Sequence, residues 1–311
     1  MIQNRRTFLT AAGVLSASAL LSKTLNKAAA FDTKFSIGCN QYSWHTFYER
    51  QGKSWTKDLD ASLTDFASSG IKCYEPSVGN KEELQTLLPL VKNHGLEIRS
   101  LYINSTLHLP EKAEESIKTT LDIADAASAA GIKIMVTNPS PIKWGSPEDK
   151  TDEQIIFQAQ ALNKLGAELR KRNICLAYHT HDPEMRSSAR EFHHMLQATD
   201  PQNVFFCLDA HWIYRGSGNS QVALFDIVKM YGKRIKELHI RQSHNGVWDE
   251  VLGEGDIDYK RLVSELAGLK LKPHLVLEQC LEKNSPNSVD AVEAHRRDLK
   301  FALNIFRPLL S

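Results

Sequence analysis

The chain has 311 residues, 42% of them apolar, and a formal net charge of +1. That length is enough to bury one large core and is ordinary for an α/β barrel, while the near-zero charge lacks the basic surplus of a nucleic-acid enzyme. The five cysteines (Cys39, Cys73, Cys175, Cys207 and Cys280) are an odd number, sit in apolar runs and form no Cys-x-x-Cys, so they read as small core residues rather than bridges or a structural zinc site.

The chain opens on Arg5-Arg6, then Phe8-Leu9, the apolar run AAGVLSASALL and Ala28-Ala29-Ala30. A basic start, an apolar stretch and a small-residue cleavage site make a secretory signal, and the paired arginines resemble a twin-arginine signal. The run falls short of the roughly 18 residues that a membrane span needs. The expectation is a leader over residues 1–30, cleaved after Ala30, with export in the folded state to the periplasm and no stable membrane insertion afterwards. One domain, residues 31–311, follows.

From there apolar, strand-like runs alternate with helical patterns. The strand candidates are FSIGCNQYSW, IKCYEPS, LEIRSLYIN, IKIMVTN, ICLAYHTHD, VFFCLDAHW, IKELHIRQS and HLVLEQC, eight in all. Between them, Asn80 and Gly95 delimit one helix with Pro89 as a potential kink, Thr151 and Gln154 have capping-box spacing, and Ser188 and Glu191 repeat it. A final helix follows Ser288. Alternation implies parallel strands with crossovers. Eight units in this length predict a (β/α)8 TIM barrel. An open doubly wound sheet is the competing arrangement, but it would want a glycine-rich loop after the first strand, and GCNQYSW is not one.

In such a barrel chemistry collects at the C-terminal ends of the strands. Strand two ends in Glu75, strand six in Asp209, strand seven in His239 followed by Arg241, and strand eight in Glu278. Taken singly these are ordinary residues: Asp209 serves as a loop cap and a lone histidine as a satisfied polar group. Glu278 is harder to dismiss, because a carboxylate at the rim of a packed core needs a cation or a donor. Two carboxylates and an imidazole converging on one mouth suit a divalent metal with open positions. Strand five ends in AYHTHDPE, where period-two alternation puts His179 and His181 on one face.

The stretches CLDAHW, ELHIRQS with LGEGDIDY, and HLVLEQ resemble the last three strands of the xylose-isomerase-like barrel family, which includes sugar isomerases and epimerases, inosose dehydratase and endonuclease IV. The resemblance covers roughly residues 35–305 and implies one divalent metal ion (manganese, cobalt, zinc or magnesium) held by strands five to eight. Asp209, His239 and Glu278 match the last three ligand positions, and GEGDID matches the loop after strand seven, where Asp256 or Asp258 also suits a helix cap. Strand five departs from the sugar epimerases: His179 stands where they carry glutamate, and YHTHDPEM, with Pro183 replacing a phenylalanine, is similar to another branch. Two assignments stay open for the fourth ligand, His179 itself or Glu184 folding back from the loop, with Glu184 favoured and His181 left as proton carrier or substrate contact.

What the resemblance implies is a metal-dependent carbohydrate isomerase or epimerase acting by proton abstraction beside a metal-bound carbonyl, with His181 and Glu278 in the catalytic roles. The alternatives are a lyase or dehydratase on a keto-sugar, 3-keto-glycoside or inosose, and a non-catalytic periplasmic sugar-binding barrel. Loss of the strand-five glutamate puts the family's two-glutamate epimerisation in doubt. Export points to a sugar without phosphate. The partner is a small carbohydrate and not nucleic acid, with self-association left open. His179, Trp44, Trp212, Trp248 and Arg241 are the candidate substrate contacts: indoles stack on sugar faces, and a guanidinium binds an oxyanion or hydroxyl. Relatives carry a Lys-Asp pair where this chain has Arg241-Gln242, so no role transfers there. Glu75 and His108 are weaker candidates, and His193-His194 read as surface residues of a helix.

Overall fold

The computed structural model describes residues 37–309, so the leader expected over residues 1–30 lies outside the described residues. Within them a parallel eight-stranded sheet curls into a nearly closed barrel. Its strands, in chain order, are Gly38–Asn40, Cys73–Glu75, Ser100–Ser105, Ile134–Pro139, Cys175–Tyr178, Val204–Asp209, Ile235–Ile240 and His274–Leu277. Strand one pairs with both strand two and strand eight. The remaining seam, between strands two and three, is closed by the bridges Cys73–Glu97 and Ser77–Tyr102. All eight expected strands form, in the expected order. A small hairpin, Ser243–His244 with Val247–Trp248, follows strand seven.

The helices that flank the barrel begin where the sequence offers an acceptor for their free N–H groups. The Asn80 side chain accepts the Glu83 N–H at 2.8 Å, and the helix Lys81–Asn93 contains Pro89 and ends before Gly95, at φ +66°. Thr151 and Gln154 close a reciprocal capping box on Asp152–Lys171. Gly166 on that helix allows close contact with the next unit: a Cβ there would stand 2.2 Å from the Asn203 carbonyl oxygen.

Two local expectations are corrected. Strand one stops at Asn40, whose side chain accepts the Tyr42 N–H at 2.7 Å and starts the helix Gln41–Arg50. That places Trp44 on the buried face of a helix, against Trp55, Phe66 and a His295 ring 4.1 Å away, fully inaccessible and not at the barrel mouth. Ser188 does not open a helix. The helix Asp182–Ala198 begins earlier, after His181, and is broken by non-helical backbone at Arg186, Ser187, Ser188 and Ala189. Glu191 is drawn instead into a buried ion pair with Lys150 at 2.6 Å, where Gln158 also donates to it.

The core fills the space between strands and helices with the apolar side chains the alternation predicted. All five cysteines are free, four buried and Cys175 partly so. No helix among the described residues is long and apolar enough to cross a membrane.

Candidate metal centre

The lumen of a (β/α)8 barrel is normally packed with branched apolar side chains. Here the C-terminal half of the lumen is polar. Strand seven has residue period two, so Glu237 and His239 share its inner face. Strand six does the same with Cys207 and Asp209, and strands two and eight deliver Glu75 and Glu278. All six are buried.

His239 is the hub. Its Nδ1 stands 3.0 Å from Glu278 Oε2, and its Nε2 lies 3.1 Å from Glu237 Oε1 and 3.3 Å from Glu75 Oε2. Burial works against a charged imidazole, but the surrounding acidic groups outweigh it and raise the His239 pKa well above its ordinary value. Burial alone would raise Glu278, yet Arg241 and His239 hold it near 2. Arg241 grips it twice: Nη2 is 3.0 Å from the carboxylate and Nε donates to the Glu278 carbonyl at 2.8 Å.

His179 continues strand five by one rung. Its N–H donates to the Thr137 carbonyl at 2.9 Å, and Asn138 donates to its carbonyl at 3.1 Å. The ring is fully buried among Tyr102, His181 and His239. Its Nε2 is 3.6 Å from Asp209 Oδ2, and neither ring nitrogen has a hydrogen-bond partner. Asp209 spends Oδ1 on the Trp212 N–H at 2.8 Å and keeps Oδ2 unpartnered.

Donor atoms of His179, Asp209, His239 and Glu278 thus lie within 4.8 Å of one another. A divalent ion bonding N and O at roughly 2.0–2.2 Å needs donors collected on that scale. Orphaned imidazole nitrogens and an orphaned carboxylate oxygen, all buried, are what such an ion would satisfy. The set, two imidazoles and two carboxylates, fits a divalent metal.

Glu184, the favoured fourth ligand, is not in this cluster. Its Oε2 turns back to accept the His181 N–H at 2.7 Å, which holds the start of the helix Asp182–Ala198. Burial and the neighbouring Glu191 push its pKa up to about 7. His181 lies beside the cluster, its ring 4.8 Å from that of His179 and edge-on to Trp212 and Trp144 at 5.1 Å each. Its Nδ1 is buried and unpartnered. Burial first, and then the charge of His179, push its pKa well below the ordinary imidazole range.

Of the other sequence candidates, Arg241 sits against both Trp248 and Trp212, its guanidinium carbon 4.3 and 5.1 Å from the centres of two nearly perpendicular rings. Its Nη1 has no partner. Gln242 bonds only loop and backbone groups. Asp258 caps the helix Tyr259–Gly268, and Asp256 accepts from Ser243 and the Gly246 N–H, so the GEGDID loop is braced by both aspartates. His108 is buried away from the cluster, and His193 bonds the Tyr231 hydroxyl on a half-buried helix face. Sequence reasoning overlooked Glu237, Cys207 and Trp144. The first two were readable as the positions two before His239 and Asp209. Trp144 was not, because nothing in the sequence marks it as 55% exposed.

A family model described as "Xylose isomerase-like TIM barrel" matches residues 63–304. Among curated relatives, inosose dehydratase of Clostridium perfringens (strain 13 / Type A) is 22% identical, over 81% of this chain and 96% of its own. Among solved structures, a xylose isomerase-like TIM barrel protein from Mycobacterium smegmatis in complex with magnesium superposes with a TM-score of 0.69 at 13% identity, covering 89% of this chain and 98% of that one. D-allulose 3-epimerase from Methylomonas sp., in complex with D-allulose, gives a TM-score of 0.65 at 15% identity over 87% and 96%.

Proposed function

The chain belongs to the xylose isomerase-like TIM barrel family, and from that premise we propose that it is a divalent-metal-dependent carbohydrate isomerase or epimerase acting on a non-phosphorylated sugar. The observation that carries the reading is the convergence of four buried donors beside the His181 ring, whose Nδ1 is buried and unpartnered. His179, Asp209, His239 and Glu278 would hold the ion, with His179 rather than Glu184 in the strand-five place. When bound, a divalent ion supplies the Lewis acidity that makes a C–H beside a carbonyl removable.

The remaining work falls to side chains. The Glu278 carboxylate is already engaged by Arg241 and His239. His181, kept neutral by burial, accepts a proton at its free Nδ1. Trp144 and Trp212 stand edge-on to that ring. The free Arg241 Nη1 offers a donor to a substrate oxygen, and Trp212 offers a ring face. One imidazole that takes and returns a proton favours isomerisation over a two-base epimerisation.

A second reading, elimination by a lyase or dehydratase, draws on the inosose dehydratase relatives and on the same His181 proton carrier. Metal-loaded protein incubated in D2O with free ketoses, 3-keto-glycosides and inososes tests both. Deuterium entering beside the carbonyl marks isomerisation, and loss of water or of the glycosidic alcohol marks elimination. Neither event on any substrate would overturn the enzymatic reading. Export through the twin-arginine route completes the proposal: mass spectrometry of the periplasmic fraction is expected to find a chain lacking about the first 30 residues, and a mature cytoplasmic protein starting at Met1 would contradict it.

A further inference from the structure

Behind the metal-facing donors sits a second acidic layer that the proposed chemistry leaves without a task. Glu237 lies one rung deeper than His239 on strand seven, and Glu75 reaches across the lumen from strand two, which is not a neighbour of strand seven in the barrel. Both end at the far nitrogen of His239: Glu237 Oε1 at 3.1 Å and Glu75 Oε2 at 3.3 Å from Nε2. Each is itself held. Asn40, the residue that ends strand one, donates to Glu75 Oε2 at 2.6 Å, and the Cys207 thiol lies 3.8 Å from Glu237 Oε1.

Two carboxylates in a fully buried barrel interior cost several kcal/mol unless something compensates them. Structural need does not explain the pair, since apolar side chains fill this layer in most barrels. The compensation in this chain is the His239 imidazole edge, with the Asn40 amide on Glu75. Both ring nitrogens of His239 face acidic groups, Nδ1 toward Glu278 and Nε2 toward the Glu237–Glu75 pair; an ion bound beside Glu278 would take the lone pair of Nδ1 and leave the Nε2 hydrogen to that pair.

We infer that Glu237 and Glu75 are positioning residues for the metal: they fix the tautomer and ring plane of His239 so that Nδ1 is presented to the ion, with Asn40 fixing Glu75 in turn. The inference rests on the proposed metal centre. Partners of this kind typically change metal affinity by about 10–100-fold when lost. Cys207 lies in the same layer, its sulfur 3.8 Å from Glu237 Oε1 and within 4.8 Å of a His239 ring nitrogen.

The test uses the full chain and titrates Zn(II), which is diamagnetic, against a competing fluorescent chelator. Glu237→Leu removes the acceptor while keeping the volume, and Glu237→Gln restores an acceptor oxygen. The expected result is a loss of about 10–100-fold in zinc affinity for Glu237→Leu, largely recovered in Glu237→Gln, with Glu75→Gln and Asn40→Ala intermediate. Histidine 15N spectra of the zinc-loaded protein are expected to show one imidazole with a metal-bound Nδ1 and a protonated Nε2, and to lose that signature in Glu237→Leu. The melting temperature of the metal-free chain separates this role from packing, because a merely structural glutamate would lower it and leave zinc affinity intact. If Glu237→Leu fails to fold, Glu75→Gln and Asn40→Ala carry the same comparison. Wild-type zinc affinity in all the folded variants overturns the positioning role while leaving the metal centre standing. A wild-type chain that takes up no zinc, manganese, cobalt or magnesium overturns both.

Discussion

In the proposed chemistry His181 is the residue that carries the proton. Its neighbours are aromatic edges and a second imidazole, so it has no competing hydrogen bond at Nδ1. His181→Ala is expected to lower turnover by about 10²–10⁴, the usual cost of a lost proton carrier, with metal content unchanged. Loss of metal in that variant would make it a ligand instead. Trp44, assigned to the mouth by sequence and found in the core, gives the opposite pattern. Trp44→Ala is expected to cost about 3–5 kcal/mol of stability, read from denaturant unfolding, without altering metal uptake. What the sequence made legible at this scale was residue type at strand ends: Asp209, His239 and Glu278 are where alternation and strand length put them. It could not separate His179 from Glu184, because both fit strand-five chemistry and the difference is a turn. His179 prolongs the ladder, whereas Glu184 turns one carboxylate oxygen back to the His181 N–H and stands outside the four-donor cluster. Trp44 was misplaced for a readable reason: Asn40 is a helix-capping residue, and taking it as strand interior carried the strand four residues too far.

Elements, by contrast, were legible almost throughout, since each strand is a short apolar run and most helices announce their caps. The break at Arg186–Ala189 was not, because it depends on long-range anchoring. Ser187 donates to Asp149 at 2.9 Å, Arg186 pairs with Asp149 at 3.0 Å, and Arg190 bonds Asp152 and the Lys150 carbonyl across from the strand-four loop. Another such clamp joins the loops after strands seven and eight to the first helix. Glu250 accepts the Ser288 N–H at 2.8 Å and pairs with Arg50 at 3.1 Å. Burial alone would raise its pKa, but the hydrogen bonds from Ser288 and Arg50 outweigh that and lower it below the ordinary glutamate value. A depressed folded-state pKa contributes stability above the unfolded-state value and loses it as pH falls through the folded one. Glu250→Gln is therefore expected to destabilise the fold by about 1 kcal/mol near neutral pH, and the gap from wild type is expected to close below about pH 4. A gap that is constant with pH would contradict the clamp.

At the scale of the whole molecule, the barrel spends its C-terminal lumen on charge rather than on packing. Four donors face one point, a second acidic layer backs them, and arginine and tryptophan close the rim. An ion that binds only the folded chain stabilises it by mass action, by about 2.7 kcal/mol at a hundredfold excess over its dissociation constant, so chelation is expected to lower the melting temperature. The fold was foreseeable because alternation of strands and helices is a chain-wide signal. The centre was only partly so, because convergence across a lumen is set by barrel closure and not by spacing along the chain. Metal stoichiometry by inductively coupled plasma mass spectrometry, on chains loaded and desalted alike, tests the central claim most directly. The account expects one divalent ion per chain in the wild type and in Glu184→Ala, and little or none in His179→Ala and Asp209→Ala. Retention in His179→Ala with loss in Glu184→Ala would contradict it.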